Sequence, residues 1–201
     1  MASPGSDDFA MDHTIRSVRA DEWRQARELR LEALQDPAAP IAFLDTYDQA
    51  VARPDSHWQE RTAGNAAGKD SIGFIAEGPD GAWVGSVTVL VELPGAEGLF
   101  GGSAPVPQAH IVGVYVCPEH RATGVSRALF EAALEWSWAL TEPRVERVRL
   151  FVHEQNDRAR AFYRKMGFEP TGLTVPLSED PSQKEFELAI VRPRPAVRCS
   201  P

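Results

Sequence analysis

The stretch VYVCPEHRATGVSRAL, residues 114–129, carries the strongest structural signal in the chain. Its apolar alternation completes a predicted strand at residues 109–116, Pro118 then turns the chain, and Gly124 opens a helix with no side chain in the way. Free N–H groups in the first turn of a helix attract anions, and Arg121 adds a fixed cation. The segment predicts an anion site that fits a pyrophosphate, although a tight helix entrance at Gly124 and a solvated Arg121 explain it equally well.

Strand and helix patterns alternate on both sides of this segment. Period-two apolar runs predict strands at residues 15–19, 72–77, 82–93, 109–116, 147–152, 168–177 and 184–190. Helical spacing predicts four helices, which begin at Asp21 as N-cap, near residue 54, at Gly124 and at Asp157. The order β-α-α-β-β-β-α-β-α-β-β predicts an α/β fold, with one mixed β-sheet of about seven strands flanked by four helices.

Proline and glycine mark the segments that join or follow these elements. Residues 40–54 are predicted to be an irregular connection, and residues 94–107, with four glycines and three prolines, a flexible loop. Residues 1–13 are rich in small and acidic side chains, and residues 192–201 contain three prolines, so both ends are predicted to be loose tails. The predicted domain is residues 14–191.

Composition and charge argue against several classes of function. The 201 residues contain 21 Lys and Arg against 29 Asp and Glu, and the net charge of -8 repels nucleic acid at long range. No run approaches the roughly 18 apolar residues of a membrane helix, and no secretory leader is evident. The two cysteines lie far apart and the five histidines are scattered, so no metal site is predicted. We expect a cytoplasmic protein without nucleic-acid or membrane partners.

A second informative stretch is VHEQNDRARAFYRKMGFEP, residues 152–170. Asn156 stands at the end of a predicted strand, and Tyr163 follows seven residues later on the same helix face, roughly 10 Å along the axis. Such a pair can run beside an extended ligand. The alternatives are an N-cap for Asn156 and a half-buried core aromatic for Tyr163, which are the commoner uses of either residue alone.

Together the two stretches resemble the signatures of the GNAT superfamily of acyl-CoA-dependent N-acetyltransferases. The family's pyrophosphate signature, Gln/Arg-x-x-Gly-x-Gly/Ala, is similar to residues 121–126, with Ser126 in place of the last small residue. The second signature is matched by Asn156, by Phe162-Tyr163 and by the Gly-Phe pair that opens the next strand. The resemblance covers residues 14–191 in element order as well as in motifs.

This resemblance implies a GNAT-type fold in which two strands splay apart and acetyl-CoA binds between them as co-substrate, with no metal. The cofactor-binding residues it implies are Val114, Tyr115, Val116, Arg121, Ala122, Thr123, Gly124, Val125, Ser126, Arg127 and Asn156. A backbone N–H near Val116 would stabilise the oxyanion. Tyr163 would be the general acid, because a phenol with a pKa near 10 stays protonated at neutral pH and can donate to sulfur.

The general base is not fixed by the resemblance. Glu92 ends a predicted strand beside the pocket, and His110 begins the next strand, so either is a candidate. The simpler interpretations are an exposed strand-end charge for Glu92 and a satisfied histidine for His110. A water chain acting on an amine of lowered pKa would need no dedicated base.

The acceptor side is expected between the first two helices. Phe43, Tyr47 and Trp58 are candidates for an aromatic wall, and Asp45 and Asp48 for attracting a cationic amine. The alternatives are packing of Phe43 and Trp58 under the sheet and solvated turn positions for the two aspartates. The expected function is acetyl transfer to a primary amine of a small molecule. The alternatives are a protein or peptide N-acetyltransferase and a non-catalytic acyl-CoA sensor. The loop 94–107 is a candidate lid, and a homodimer is possible.

Overall fold

The computed structural model describes residues 13–96, 104–177 and 180–193. Its strands form one seven-stranded sheet in the order β1-β2-β3-β4-β5-β7-β6. They are β1 (Thr14–Ser17), β2 (Ser71–Glu77), β3 (Trp83–Glu92), β4 (Gln108–Val116), β5 (Arg147–His153), β6 (Glu169–Pro176) and β7 (Lys184–Val191). Every neighbouring pair is antiparallel except β4 with β5, which is parallel. The predicted mixed sheet of seven strands is confirmed.

Five α-helices accompany the sheet in the described ranges, one more than predicted. They are α1 (Trp23–Ala33), α2 (Tyr47–Val51), α3 (Asp55–Ala67), α4 (Val125–Ala139) and α5 (Asp157–Lys165). The additional helix is α2, which lies within the predicted irregular connection. Thr46 and Gln49 form a capping box there, so the short helix is stabilised by side chains that the sequence displays.

The start of α1 also differs from the prediction. Glu22, not Asp21, occupies the N-cap position, and its side chain makes no cap hydrogen bond. Arg16 donates to both Glu22 carboxylate oxygens, and the Arg19 backbone N–H donates to the same carboxylate, which lowers the pKa of Glu22 to about 2. The acid therefore ties α1 to β1 instead of capping the helix.

The main hydrophobic core lies between the sheet and the helices α4 and α5. From α4, Leu129, Phe130 and Ala133 are fully buried against strand residues such as Val87 and Val148. Helices α1, α2 and α3 form a smaller cluster around Trp58, which is 2% exposed. The α3 side chain Asn65 lies over Gly73 of β2, on the face opposite the main core. The sheet thus has helices on both faces.

The strands β4 and β5 separate along their length. They pair only where residues 108–110 meet residues 147–149. Farther along β4, a bulge against β3 places Gly113 at a φ of +62°, a conformation that favours glycine. Beyond residue 110 the edge of β4 that faces β5 pairs with no other described strand. The predicted splaying of these two strands is therefore present.

Several predicted segments lie wholly or partly outside the described residues, namely residues 1–12, 97–103 of the predicted loop, and 194–201. At the two domain bounds, contacts extend one residue farther than predicted: His13 Nε2 lies 3.1 Å from His120 Nδ1, and Arg192 Nε donates to the Val145 carbonyl at 2.7 Å. Within the described part of the chain, every helix falls short of the length and hydropathy of a membrane span.

Candidate functional site

A cleft opens between the separated strands, and we call it the splayed cleft. Its walls come mainly from β4, β5, α5 and the segment 36–43 between α1 and α2. Residues lining it include Val112, Gly113, Val114, Tyr115, Val116, Arg121, Ser126, Val152, His153, Asn156, Arg158, Ala159, Phe162, Tyr163 and Glu185. Since alternate backbone groups of a strand point to opposite edges, half of those along residues 111–116 face this cleft and can pair with an extended ligand.

The turn before α4 forms one end of the splayed cleft. Arg121 Nε donates to the Val116 carbonyl at 2.9 Å, and its guanidinium is also hydrogen-bonded to Asp36. Gly124 is the N-cap of α4 at a φ of +95°, and no side chain caps the helix, so the N–H groups of its first turn are available to an anion. With Ser126 and Arg158 also lining the cleft, this end suits a phosphate group.

The other residues of the predicted pyrophosphate loop are placed differently. Ala122 has a φ of +64°, the one positive-φ residue other than glycine in the described ranges, and Thr123 Oγ1 donates to the His120 carbonyl at 2.6 Å. Val125 is buried in the core, and the exposed Arg127 pairs with Glu131 at 3.6 Å. Of the loop, only Arg121 and Ser126 line the cleft with described side chains.

Asn156 lines the splayed cleft and caps α5. Its Oδ1 accepts from the Ala159 N–H at 3.1 Å, and its Nδ2 donates to the Ile41 carbonyl at 3.3 Å. The alternative N-cap interpretation from the sequence is therefore the observed geometry. The amide also fastens the segment before α2 to the start of α5, across one mouth of the cleft.

Tyr163 lies two helical turns farther along the same wall. Its ring packs against Phe130, Phe162 and Phe168, with centroids 5.4 to 6.4 Å apart. Burial raises the pKa of the phenol, and the nearby Glu185 raises it further. Tyr163 therefore remains protonated at neutral pH while it lines the cleft.

A second cleft lies on the face of the sheet that α1 and α3 cover. It is lined by Arg30, Ala42, Phe43, Leu44, Asp45, Arg61, Asn65, Thr88, Leu90, His110, Ile111, Val112, Gly113, Phe151 and Glu185. Phe43, Phe151, Glu185 and residues 111–113 also line the splayed cleft, so the two clefts meet. The second cleft has a volume of about 440 Å³.

The predicted aromatic wall is not assembled in this second cleft. Phe43 lines it, but Tyr47 is 39% exposed on α2 outside the lining, and Trp58 is buried between α1 and α3. Asp45 is held by Arg53 at 2.6 and 3.0 Å and by Arg30 at 3.2 Å. That carboxylate is already neutralised, so it has little attraction left for a cationic amine.

The two predicted bases form a buried polar network. Arg149 donates from Nε and Nη2 to the two Glu92 oxygens, at 2.8 and 2.9 Å, His110 Nδ1 lies 2.9 Å from Glu92, and Gln108 donates to it at 2.6 Å. These donors outweigh burial, which acts in the opposite direction, and lower the pKa of Glu92 to about 2. Burial lowers the pKa of His110. His110 lines the second cleft, whereas Glu92 does not.

Sequence reasoning missed Glu185, which lines both clefts where they meet. Its Oε2 is buried without a hydrogen-bond partner among the described residues, and burial raises the pKa of this carboxyl to about 7. Across the ladder it faces His153, whose Nε2 is bonded to Gln183 and whose Nδ1 accepts from the Gln155 N–H. The signal was the alternation KEFEL on β7, which places Glu185 and Glu187 on one face.

Comparison with known proteins agrees with this geometry. The family model described as the acetyltransferase (GNAT) family matches residues 20–168. The chain belongs to the GNAT acetyltransferase family. The match spans the parts of the chain that build both clefts, except β7 with Glu185, which follows it.

Two curated relatives and one solved structure illustrate how this GNAT chain relates to others. It is 38% identical over 102 residues to a mycothiol acetyltransferase of Saccharomonospora viridis, covering 51% of this chain and 31% of the relative. It is 38% identical over 63 residues to the peptidyl-lysine N-acetyltransferase YjaB of Escherichia coli, covering 31% of this chain and 37% of YjaB. The chain thus spans about a third of the length of these relatives. The Mycobacterium smegmatis RimJ structure with CoA-disulfide has a TM-score of 0.66 at 21% identity, covering 91% of this chain and 83% of RimJ.

Proposed function

We propose that this protein transfers an acetyl group from acetyl-CoA to a primary amine. The observation that carries the proposal is the meeting of two clefts at Glu185, whose Oε2 has no hydrogen-bond partner among the described residues, with the protonated Tyr163 on the wall of the splayed cleft. A transfer between two substrates needs two binding spaces that share a reaction point. The splayed cleft would hold acetyl-CoA, and the second cleft the amine.

The splayed cleft fits acetyl-CoA in shape and in chemistry. The uncapped start of α4 with Arg121 and Arg158 suits the pyrophosphate, and the unpaired edge of β4 suits the amides of the pantetheine arm. RimJ, which shares the fold, was solved with a CoA disulfide, and Arabidopsis thaliana NAA60 with acetyl-CoA. Asn156 would act mainly by holding the shape of this cleft, because both ends of its amide are already bonded.

The chemistry we propose places an acid and a base on either side of the thioester. The amine nitrogen attacks the carbonyl carbon, its proton passes to the Glu185 carboxylate, and the C–S bond breaks as the sulfur takes the phenolic proton of Tyr163. Backbone N–H groups near Val116 would donate to the oxyanion. Tyr163 would regain its proton from solvent, and Glu185 would return its proton there.

We propose Glu185 as the base in preference to Glu92 and His110. A base must be free to accept a proton near neutral pH, and a carboxyl with a pKa of about 7 and a bare oxygen meets both requirements. Glu92, whose pKa is about 2, is bound by Arg149 on both oxygens. His110 Nδ1 is engaged with Glu92, and its ring is buried.

The acceptor we propose is a small molecule. The second cleft, at about 440 Å³, lies in the range of pockets for small ligands. The curated relative named as a mycothiol acetyltransferase also points to a small-molecule acceptor. A peptide or protein acceptor is the second candidate, favoured by the peptidyl-lysine N-acetyltransferase relative. A cytoplasmic location and a homodimer stay predictions.

The test is thiol release from acetyl-CoA by the purified protein with panels of small amines and of lysine-containing peptides, against a blank without amine. Release with one panel would support the transferase and select the acceptor class. Binding of acetyl-CoA without release by either panel would favour the sensor alternative. Absence of acetyl-CoA binding in a calorimetric titration would contradict the proposal altogether.

A further inference from the structure

One wall of the second cleft is rich in arginine. Arg30 of α1 and Arg61 of α3 line this wall, and Arg53 lies behind it. The carboxylate of Asp45 is hydrogen-bonded to Arg30 and Arg53, and its charge also acts on Arg61. The cluster therefore has three positive charges and one negative charge.

Of the three arginines, Arg61 is the one that forms no ion pair with Asp45. Arg53 pairs with Asp45 through two nitrogens, and Arg30 pairs with the same carboxylate while it stacks on Phe43 at 4.4 Å. Arg61 makes no hydrogen bond or ion pair with any residue of the described ranges, although its side chain is half-buried. A half-buried guanidinium that has no acceptor among the described residues gains from a ligand that supplies one.

The electrostatic environment supports the same conclusion. Burial lowers the pKa of Arg30, and the like charge of Arg61 lowers it further, so these two cations lie close enough to repel each other. Burial also lowers the pKa of Arg61, and Arg53 adds to that effect while Asp45 opposes it. An anion placed between Arg30 and Arg61 would relieve the repulsion and the desolvation together.

We propose that the second cleft binds an acceptor that carries an anionic group, a carboxylate or a phosphate, on Arg61 and Arg30, with its amine directed toward Glu185. This inference rests on the proposed acetyl transfer and adds the chemical class of the acceptor to it. Arginine suits the role because its planar fork binds two oxygens of a carboxylate or phosphate at once. The sequence instead offered Asp45 and Asp48 as candidates for attracting the cationic amine of the acceptor.

Matched amine pairs test this proposal. One arm compares ω-amino carboxylates of increasing chain length with their carboxamides, and a second compares O-phosphoethanolamine with ethanolamine, by thiol release from acetyl-CoA. The proposal expects kcat/KM for the anionic member to exceed that of its neutral partner by about 10- to 100-fold in one arm, the value of a charge-assisted contact. The arm that shows the preference identifies carboxylate or phosphate.

Variants then assign the preference to the cluster. Arg61→Met should raise KM for the anionic acceptor by about 10- to 100-fold with little change in kcat, and should remove the preference; Arg61→Lys, which keeps the charge but not the fork, should lie between. Arg144→Met is the matched control, because Arg144 is exposed near the opposite end of β5. A preference that survives in Arg61→Met would overturn the proposal, as would neutral partners that react equally well.

A binding experiment keeps the two proposals separable. If no amine releases thiol, the proposed function fails, and calorimetric titration then tests the anion site alone. One titration compares N-acetyl-β-alanine with its carboxamide, and the other compares O-phosphoethanolamine with ethanolamine. Tighter binding of an anionic member to the wild type than to Arg61→Met supports the site. Equal binding of anionic and neutral members to the wild type contradicts it, whatever the catalytic result. Circular dichroism confirms that each variant is folded.

Discussion

Glu92 and Glu185 occupy the same face of the sheet but have opposite surroundings. Glu92, at the end where β4 and β5 are paired, receives hydrogen bonds from Arg149, His110 and Gln108. Glu185, where the same strands have separated, keeps an oxygen that no described residue hydrogen-bonds. The pKa values are about 2 and about 7 as a result. Paired strands bring polar side chains into mutual contact, whereas the separated strands leave one carboxyl available for chemistry.

The largest expected effect concerns activity at the separated end. Glu185→Gln should lower kcat/KM for the acceptor by about 100- to 10,000-fold, the usual contribution of a general base, because the amide cannot take up the amine proton. Steady-state thiol release measures it. The control is Glu135→Gln, a change to an exposed acid on α4 that should leave the rate unchanged. A loss of less than about threefold in Glu185→Gln would show that water, and not this carboxylate, is the base.

At the end where β4 and β5 are paired, the expected effect is on the stability of the fold. Glu92→Gln leaves the buried Arg149 facing a neutral amide, and we expect the free energy of unfolding to fall by about 3–5 kcal/mol. Urea denaturation measures the change. The double variant Glu92→Gln with Arg149→Met should recover part of the loss, because no uncompensated charge remains. If Glu185→Gln destabilised the protein as much as Glu92→Gln, the contrast between the two acids would be wrong.

A variant of Tyr163 tests the proposed general acid separately from the proposed base Glu185. Tyr163→Phe keeps the ring packing against Phe130 and removes the proton donor, so kcat should fall by about 10- to 100-fold. The expected loss is smaller than for the base because a thiol with a pKa near 8.5 is a fair leaving group without full protonation. Single-turnover thiol release measures it. An unchanged rate would mean that the thiolate departs unaided.

The smallest effect is the pH dependence of stability, which should have opposite signs at the two acids. The lowered pKa of Glu92 means that its contribution is present above about pH 4.5 and is lost as pH falls toward 2. The raised pKa of Glu185 means that its burial costs little below about pH 4.5 and progressively more as pH rises to 7. Melting curves of each Gln variant against the wild type should show Glu185→Gln gaining about 2–4 °C between pH 5 and 8. A gain at low pH instead would contradict this sign.

The sequence predicted the framework of the protein better than its acceptor side. Apolar periodicity located all seven strands, and the local motifs around Arg121 and Tyr163 pointed to the splayed cleft, because each motif gathers several of its lining residues in one short stretch. The short helix α2 was missed although its Thr46–Gln49 capping box is visible in the sequence. The prolines and the absence of an apolar stripe favoured an irregular segment instead.

The acceptor side combines residues from distant parts of the chain, and local patterns do not reveal such combinations. Glu185 and Arg61 are 124 positions apart, and nothing in the neighbourhood of either indicates the other. The charge of Asp45 is neutralised by Arg30 and Arg53, and only the packing of α1 against α2 and α3 brings these residues together. An expected amine-binding aspartate thus became part of an arginine cluster.

The most direct test of this account is the pH dependence of kcat/KM in the wild type and in Glu185→Gln, with the same acceptor and acetyl-CoA. The groups that face Glu185 are Tyr163 of α5 and His153 of β5, and both remain in the variant. The account predicts a wild-type rate that rises with pH through an inflection near 7, as the Glu185 carboxyl ionises, and loss of that inflection in the variant. Any inflection from the acceptor amine would persist in both proteins. Retention of the inflection near 7 in Glu185→Gln would contradict the assignment of Glu185 as the base.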